Sequence, residues 1–266
     1  GFKISEISFE GPEEALKESK NTQPAIFLHS AVVYNLLKDK IKISGTAGHS
    51  LGEYTALYSS GAISFEDGLK LTSKRGEYFS EISGGTMAAI LGLEDSVVDE
   101  VCNEIAKEGL INGANYHCPG QVVISGEIAL ILKAMELLKE KGARRAIQLA
   151  VSGAFHSQLM KPAAEKFRGI LDEVIFSEPG VKFIPNVTAE FTSDPAEIKE
   201  NLYKQITGPV RWTKSIQNFI SAGFDNYIEM GPAPVLKGMV KKISREVTLK
   251  PVTSADSLKK FLEGDQ

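Results

Sequence analysis

The segment GTAGHSLGEYTAL, residues 45–57, constrains the fold of this chain more than any other segment. Gly48, Ser50 and Gly52 form a G-x-S-x-G motif between a strand-like and a helix-like stretch, the context of a nucleophile elbow. Glycines let the backbone crowd into a strained turn that lifts the serine hydroxyl clear of the sheet. The following helix directs its free N–H groups at the same point, so the Leu51 N–H is predicted to stabilise an oxyanion. The alternative is a glycine-rich turn with an ordinary solvent-facing serine.

The order of periodic segments predicts an α/β fold. Helix-like and strand-like patterns alternate along the chain, as in proteins that stack helices on a sheet. Residues 86–151 follow the order β-α-β-β-α-β, the ferredoxin-like arrangement, which can close on itself. We therefore expect a subdomain of residues 86–151 inserted into a larger α/β core that comprises residues 1–85 and 152–266. In that core we predict a helix beginning near Pro24, a helix over AFHSQLMKPAAEKFRGIL and a strand over FIPNV.

Composition excludes several classes of protein. The chain of 266 residues has a net charge of −4, which provides no basic surface for nucleic acid. Its two cysteines, Cys102 and Cys118, have neither zinc-ligand spacing nor a disulfide pattern, so a reducing compartment is expected. No apolar run approaches the length of a membrane span, and the start does not resemble a signal peptide. We therefore expect a cytoplasmic protein, with no metal and no nucleotide-binding loop.

A serine nucleophile requires a base, and the chain offers four histidines: His29, His49, His117 and His156. The segment around His29 is apolar almost all round, which favours packing in the core, and His117 lies in a loop of the insert. His49 is adjacent to Ser50 on the strained turn, where its ring cannot fold back well. His156 follows Ser50 in the order typical of elbow enzymes and is the best candidate. No acid clearly completes a triad, so a Ser–His dyad is an equal alternative.

Arg75 suggests a substrate with a negative charge. It lies in LKLTSKRGEYF, a helix-like segment soon after the elbow. An arginine on a helix is usually a solvated surface residue, and this is the default interpretation here. If the side chain points into the pocket instead, its guanidinium is a bidentate partner for a carboxylate, which a plain hydrolase would not need.

Seven segments resemble the family of malonyl-CoA:acyl-carrier-protein transacylases. They are GHSLGEYTAL, KRGEYF, GGTMAAILGL, NYHCPGQVVISG, SGAFHS, GPVRWTKSI and EMGPAPVLKGM, in the family's order over nearly the whole chain. The resemblance implies an α/β-hydrolase-like core with a ferredoxin-like insert. It also implies transfer of malonyl from malonyl-CoA to the pantetheine thiol of holo acyl carrier protein, in bacterial fatty acid synthesis and without a cofactor.

The resemblance assigns a role to each residue of the catalytic region. It implies Ser50 as the nucleophile, His156 as the base and Arg75 as the group that binds the malonyl carboxylate. In this family a backbone carbonyl, rather than an acid, orients the histidine. The matching position is Gln205, in YKQITGPVRW, which would account for the missing triad acid.

The resemblance also outlines the substrate pocket, which would include His49, Asn115, Gln121 and Phe155. The segment NYHCPGQ resembles the lining of the pantetheine entrance, with Asn115 and Gln121 as its contacts. Phe155, in the AFH that contains the base, resembles the malonyl-selecting form of the motif. Methylmalonyl-selecting relatives usually carry serine there.

One feature departs from the family pattern. The family normally begins with a strand and an F-P-G-Q-G loop whose glutamine supplies a second oxyanion N–H. Here no P-G-Q-G precedes the elbow, and the PGQ at 119–121 belongs to the insert. We therefore expect that the sequence either lacks its natural N-terminus or lacks one oxyanion donor, at a cost of about 10²–10³ in rate.

These observations predict a monomeric acyltransferase that works by a ping-pong mechanism through malonyl-Ser50. Three alternatives stay open at this point. A serine hydrolase or thioesterase would use water as the acceptor and give Arg75 no task. A non-catalytic module that binds carrier protein would retain the site as a relic. An acyltransferase domain of a polyketide synthase would share the chemistry, but such domains normally lie in much longer chains.

Overall fold

The computed structural model describes residues 3–264, in which helices alternate with short strands. The helices are α1 (Ile4–Glu10), α2 (Glu13–Lys17), α3 (Ser19–Leu37), α4 (Gly52–Ser59), α5 (Phe65–Ser80), α6 (Asp95–Ile105), α7 (Ile128–Glu140), α8 (Lys161–Asp172), α9 (Pro195–Thr207), α10 (Trp212–Ser221), α11 (Leu236–Ile243) and α12 (Ala255–Glu263). The strands are β1 (Gly45–Thr46), β2 (Gly85–Leu91), β3 (Ile111–Cys118), β4 (Gln121–Glu127), β5 (Arg145–Gln148), β6 (Lys182–Phe183), β7 (Asn226–Met230) and β8 (Thr248–Val252).

The inserted subdomain is a four-stranded antiparallel sheet in the order β3-β4-β2-β5, covered by α6 and α7. Side chains alternate across a strand, so β2 contributes to two different cores. Ala88 and Ile90 pack with the apolar faces of α6 and α7. Met87 and Ala89 face the other way and join a cluster that includes Phe155 of the larger core. The topology confirms the ferredoxin-like prediction, while the bounds 86–151 stay a prediction.

The larger core holds its strands in two parallel pairs, β1 with β6 and β7 with β8. Around the first pair, α3, α4, α5, α8 and α9 bury one continuous apolar cluster. Its large, fully buried members are Phe27, Tyr54, Leu71, Phe167 and Phe183. Helices and parallel strands thus share one core, in agreement with the predicted α/β class. This core fixes the ends of β1, α5 and α9, where the candidate site lies.

The predicted start of α3 at Pro24 is wrong, because the helix begins at Ser19 and Pro24 lies inside it. Proline lacks an N–H and therefore removes one intrahelical hydrogen bond. Side chains of the added turn compensate by bonding the preceding helix. Asn21 Nδ2 donates to the Ala15 carbonyl at 2.7 Å, and Thr22 Oγ1 donates to the Leu16 carbonyl.

Two other segments of the larger core are less regular than predicted. The strand predicted over FIPNV, residues 183–187, overlaps the observed β6 (Lys182–Phe183) only at Phe183. Pro185 cannot donate to a ladder, and the N–H of Asn186 bonds a carboxylate instead. The helix predicted over 154–171 begins only at Lys161, because His156 has a φ of 61°, which no α-helix tolerates.

Candidate active site

The elbow turn holds Ser50 in a strained conformation with a φ of 49°. Such values are rare for residues other than glycine and occur mainly where function requires them. A Cβ on Gly48 would lie 1.9 Å from the carbonyl carbon of Gly52, so this crossing of the chain requires glycine at 48. A Cβ on Gly52 would meet nothing within 4 Å. The prediction that crowding requires glycine is therefore correct at Gly48. It is wrong at Gly52, where a side chain would have room.

Ser50 and His156 are hydrogen-bonded although 106 positions separate them. Ser50 Oγ lies 2.8 Å from His156 Nε2, and His156 Nδ1 lies 2.8 Å from the backbone oxygen of Gln205. The carbonyl can only accept, so Nδ1 carries the proton and Nε2 is left to accept the serine proton. Burial, assisted by the charge of Arg75, lowers the pKa of His156 to about 4. The imidazole is consequently neutral at pH 7, as a base must be.

Arg75 is buried beside the serine, so the interpretation as a solvated surface residue is wrong. Only 2% of Arg75 is exposed. Its Nη1 donates to Gln23 Oε1 at 2.7 Å, and its Nη2 donates to Ser50 Oγ at 3.0 Å and to Gln205 Oε1 at 3.1 Å. The guanidinium also lies over the ring of Phe79, 4.2 Å from its centroid.

Arg75 forms no direct ion pair with a carboxylate in the described part of the chain, and Glu53 attracts it only at longer range. Among residues 3–264, no Asp or Glu lies within ion-pair distance of its guanidinium; the ion pairs of this part of the chain involve other cations. A buried cation that is held only by neutral acceptors is costly. Burial also lowers the pKa of Arg75, in agreement with this cost. A ligand carboxylate that reaches the guanidinium would supply the missing charge.

Gln205 connects the three groups through both its backbone and its side chain. The backbone oxygen accepts from His156, and the side-chain oxygen accepts from Arg75. Its Nε2 lies within hydrogen-bond distance of the Ser50 carbonyl at 3.0 Å and of Glu53 Oε2 at 2.7 Å. Gln205 is completely buried at the last turn of α9. The orientation of the histidine by a backbone carbonyl agrees in geometry with the sequence-based expectation.

Sequence reasoning missed three residues of this network: Gln23, which accepts from Arg75, and Glu53 and Asn186. Asn186 Oδ1 accepts from the Ser50 N–H at 2.7 Å, and its Nδ2 donates to the Gly48 carbonyl at 2.6 Å. Its own N–H donates to Glu53 Oε2 at 3.0 Å. Two signals were available: Glu53 lies in the first turn of the helix after the elbow, and Asn186 follows a proline that lies just beyond a strand.

The Leu51 N–H is free to stabilise an oxyanion. Leu51 precedes the first residue of α4, and no hydrogen-bond acceptor within residues 3–264 is assigned to its N–H. The neighbouring N–H groups of Gly52 and Glu53 are occupied by the carbonyls of His49 and Ser50. A free N–H directly after the nucleophile is the position from which elbow enzymes stabilise the oxyanion.

The predicted pocket residues lie around this centre at different distances from the chemistry. Phe155 stacks on Phe79, the ring beneath Arg75, with centroids 5.0 Å apart. The half-buried ring of His49 lies 5.0 Å from that of His117, whose Nδ1 lies 3.4 Å from Gln121 Nε2. These contacts form a polar path from Ser50 to the loop at 119–121.

Asn115 and His29 are candidates whose side chains make no hydrogen bond to Ser50, His156 or Arg75 in the described part of the chain. Asn115 is buried on β3, where its backbone bridges to Val210, and its side-chain oxygen has no partner among the described residues. His29 lies on α3. Burial lowers the pKa of His29, as in a packed core histidine.

The fold and the site together define an acyl-transfer protein with a hydrogen-bonded serine–histidine pair and a ferredoxin-like insert. Residues 1–264 match the family described as acyl transferase domain, and the chain belongs to this family. It is 44% identical to the malonyl CoA-acyl carrier protein transacylase of Bacillus subtilis (strain 168), over 96% of this chain and 82% of that protein.

Solved structures agree with this membership. An acyl carrier protein S-malonyltransferase from Vibrio cholerae O1 biovar eltor str. N16961 superposes with a TM-score of 0.94 at 36% identity, covering 98% of this chain and 87% of that one. A malonyl-transacylase solved in complex with its type II PKS acyl-carrier protein gives 0.95 at 34% identity, with coverage of 100% and 87%. The α/β architecture with its small sheet subdomain is thus the architecture of this family.

Proposed function

We propose that the chain transfers a malonyl group from malonyl-CoA to the pantetheine thiol of an acyl carrier protein, through an ester on Ser50. The observation that carries this proposal is the position of Arg75, a buried cation without a direct carboxylate partner whose Nη2 lies 3.0 Å from Ser50 Oγ. An acyl group that ends in a carboxylate can reach both residues at once. The relatives that are named malonyl transacylases support the same conclusion.

The first half-reaction forms malonyl-Ser50. His156 Nε2 accepts the proton of Ser50 Oγ while this oxygen attacks the thioester carbonyl carbon of malonyl-CoA. The carbonyl oxygen becomes an oxyanion, which the Leu51 N–H stabilises. When the tetrahedral intermediate collapses, the C–S bond breaks and the CoA sulfur takes the proton from His156. The products are free CoA and an ester on Ser50, with His156 neutral again.

The second half-reaction repeats these steps with a different nucleophile. His156 removes the proton from the pantetheine thiol of the carrier protein, and the thiolate attacks the ester carbonyl carbon. The C–O bond to Ser50 breaks, and the serine oxygen recovers its proton from His156. This cycle conserves atoms and charge, so the proposal requires no metal and no cofactor.

Arg75 has two roles in this cycle. Paired with the malonyl carboxylate, its guanidinium selects a dicarboxylic acyl group, since a planar donor pair matches a carboxylate. The same contact holds the acyl ester in one position and disfavours attack by water. His49, Asn115, Gln121 and Phe155 complete the proposed pocket, with the path from His49 to Gln121 as the approach for pantetheine.

The proposal also covers assembly and location. Ser50, His156, Arg75 and Gln205 come from a single chain, which supports an active monomer. The two cysteines are free and buried, which fits a reducing cytoplasm. Within residues 3–264, no helix combines the length and apolar character that a membrane crossing requires.

The decisive measurement is the intact mass of the protein after brief incubation with malonyl-CoA, with Ser50→Ala as the control. We expect one malonyl adduct on the wild type, none on the variant, and discharge of the adduct by holo carrier protein. An adduct that only water discharges would indicate a hydrolase. A folded wild type without adduct would favour the non-catalytic alternative.

A further inference from the structure

Glu53 is the only acidic residue of the described chain that contacts the catalytic network directly, and the proposed mechanism gives it no role. It is completely buried in the first turn of α4, three residues after Ser50. Its Oε2 accepts from the Asn186 N–H at 3.0 Å and from Gln205 Nε2 at 2.7 Å. A buried carboxylate is costly and rarely kept without a purpose.

The contacts of Glu53 lead to the elbow turn that carries Ser50 and to Arg75. Through Asn186 they reach the Ser50 N–H and the Gly48 carbonyl, the two ends of the elbow turn. Through Gln205 they reach Arg75, which donates to the side-chain oxygen of that glutamine. One carboxylate oxygen therefore lies one hydrogen bond away from the residues that position the nucleophile and the guanidinium.

The acceptors around Gln205 determine which way its amide points. Its Nε2 faces three oxygens: the Ser50 carbonyl, Glu53 Oε2 and Asn186 Oδ1. An NH₂ group is a donor only, so this environment fixes the nitrogen there and turns the amide oxygen toward Arg75. The opposite orientation would place an oxygen against three oxygens and an NH₂ against a cation.

Glu53 makes no direct ion pair with Arg75 within residues 3–264, although the two charges attract each other at longer range, which lowers the pKa of Glu53 and raises that of Arg75 against the larger effect of burial. The direct contacts of Glu53 are those of an acceptor. Both of its hydrogen bonds end on Oε2, and Oε1 has no partner among residues 3–264. A proton on Oε1 would leave both bonds intact. Burial raises the pKa of Glu53 to about 7, as expected for a carboxyl with one unsatisfied oxygen.

We propose that Glu53 is a positioning residue for malonyl transfer: its Oε2 fixes the Gln205 amide, so that the amide oxygen holds Arg75 at Ser50. This inference rests on the proposed function, because it concerns the group that selects the malonyl carboxylate. It predicts that loss of the acceptor harms malonyl transfer more than acetyl transfer, since acetyl has no carboxylate for Arg75.

The test compares Glu53→Met with Glu53→Gln. Methionine fills a similar volume without an oxygen, whereas glutamine keeps an acceptor at the position of Oε2. The measured quantity is the ratio of the rates at which malonyl-CoA and acetyl-CoA acylate Ser50, from intact mass. We expect Glu53→Met to lower this ratio about tenfold, the effect of one hydrogen bond to a charged group, and Glu53→Gln to stay within about threefold of the wild type.

Two controls separate positioning from general destabilisation. Glu229 is also a buried carboxylate, and it accepts two backbone N–H groups, those of Leu236 and Lys237, neither of which belongs to the Ser50 network. Glu229→Met should lower the melting temperature and leave the ratio unchanged. In an Arg75→Ala background, Glu53→Met should change the ratio less than about twofold, because residues that act through one another are not additive.

An unchanged ratio in folded Glu53→Met overturns the proposal. A Glu53→Gln variant that is as impaired as Glu53→Met also overturns it, because the charge of Glu53 would then be the essential property. If Glu53→Met does not fold, Gln205→Met serves instead, because it removes the amide and keeps the backbone carbonyl that binds His156. An unchanged ratio in Gln205→Met would also overturn the proposal. A wild type that forms no malonyl adduct refutes the proposed function itself, a distinct result that precedes any variant.

Discussion

The inserted subdomain and the larger core differ in the length of their paired strands and in the side chains that surround them. In the insert, strands of four to eight residues pair antiparallel, with register shifts in β3 against β4, and α6 and α7 cover one face with apolar side chains. In the larger core, β1 and β6 are only two residues long, and polar side chains occupy the space just beyond them. The insert buries apolar surface, while the core interrupts its regular structure to place a reactive group.

Backbone strain follows the same division. Ser50, His156 and Ala189 are the non-glycine residues with positive φ in the described chain, and all three lie in the larger core. Two of them are the hydrogen-bonded pair of the site. Strain of this kind persists only where surrounding contacts over-determine it, as Asn186, Gln205 and the carbonyl of Gly48 do here. Sites of strain and sites of buried polar contacts therefore coincide in this molecule.

After removal of Ser50 itself, the change expected to have the largest effect is Arg75→Ala, which alters the site in the larger core and leaves the insert untouched. Malonyl acylation of Ser50 should fall about 10²-fold, the equivalent of the lost charge-assisted contacts to one carboxylate. Acetyl acylation and hydrolysis of the acyl ester should hold or rise. Initial rates from intact mass with the two thioesters measure both effects. An unchanged preference for malonyl would contradict the role assigned to Arg75.

The order of elements in the insert was predictable from the sequence because their patterns are local and periodic. The apolar runs of β2 and β4 and the apolar stripes of α6 and α7 predict the β-α-β-β-α-β order along the chain. In the larger core the elbow was predictable for the same reason, since G-x-S-x-G with its flanking strand and helix is a local pattern. His156, Arg75 and Gln205 also lie where the family resemblance placed them, and their chemical roles stay predictions.

What the sequence could not show is the set of long-range polar contacts. Asn186 meets Ser50 across 136 positions and Glu53 meets Gln205 across 152, and no period or spacing encodes either contact. The early end of β6 has the same origin. A propensity for strand in FIPNV is overridden because Pro185 lacks an N–H and Asn186 bonds Glu53 instead. Tertiary polar contacts thus decided the elements that local propensity misjudged.

Matched cavities in the two regions should sharpen the comparison. Ile131 is completely buried in α7 of the insert, and Leu71 is completely buried one turn before Arg75 in α5. Truncation of either side chain to alanine should cost about 2–5 kcal/mol of unfolding free energy, through lost burial and the cavity left behind. Only Leu71→Ala should also reduce the malonyl-to-acetyl ratio, because it loosens the helix that carries Arg75.

Chemical denaturation of both variants, followed by acylation assays on the folded fraction, separates stability from selectivity. Equal loss of the ratio in Ile131→Ala and Leu71→Ala would show that the insert also positions the guanidinium. In that case it would be wrong to assign the positioning of the guanidinium to the larger core alone, although the fold and the Ser50–His156 pair would be unaffected.

The smallest effect expected is the pH dependence of Ser50 acylation. His156 must be neutral to accept a proton, and burial followed by the charge of Arg75 lowers its pKa from 6.5 to about 4. The rate should therefore change little between pH 7.5 and pH 5.5 and fall only as the pH approaches 4. The same shift makes the unfolded chain bind more protons below pH 6.5, so stability declines there and the folded fraction must be measured in parallel.

Glu53, whose pKa lies at about 7, keeps its acceptor Oε2 in both protonation states, so no inflection should occur near that pH. A midpoint of the rate profile near pH 6.5 would mean that His156 is solvated during acylation. A midpoint near pH 7 that occurs in the wild type and is absent from Glu53→Gln would assign the charge of Glu53 a part in the reaction.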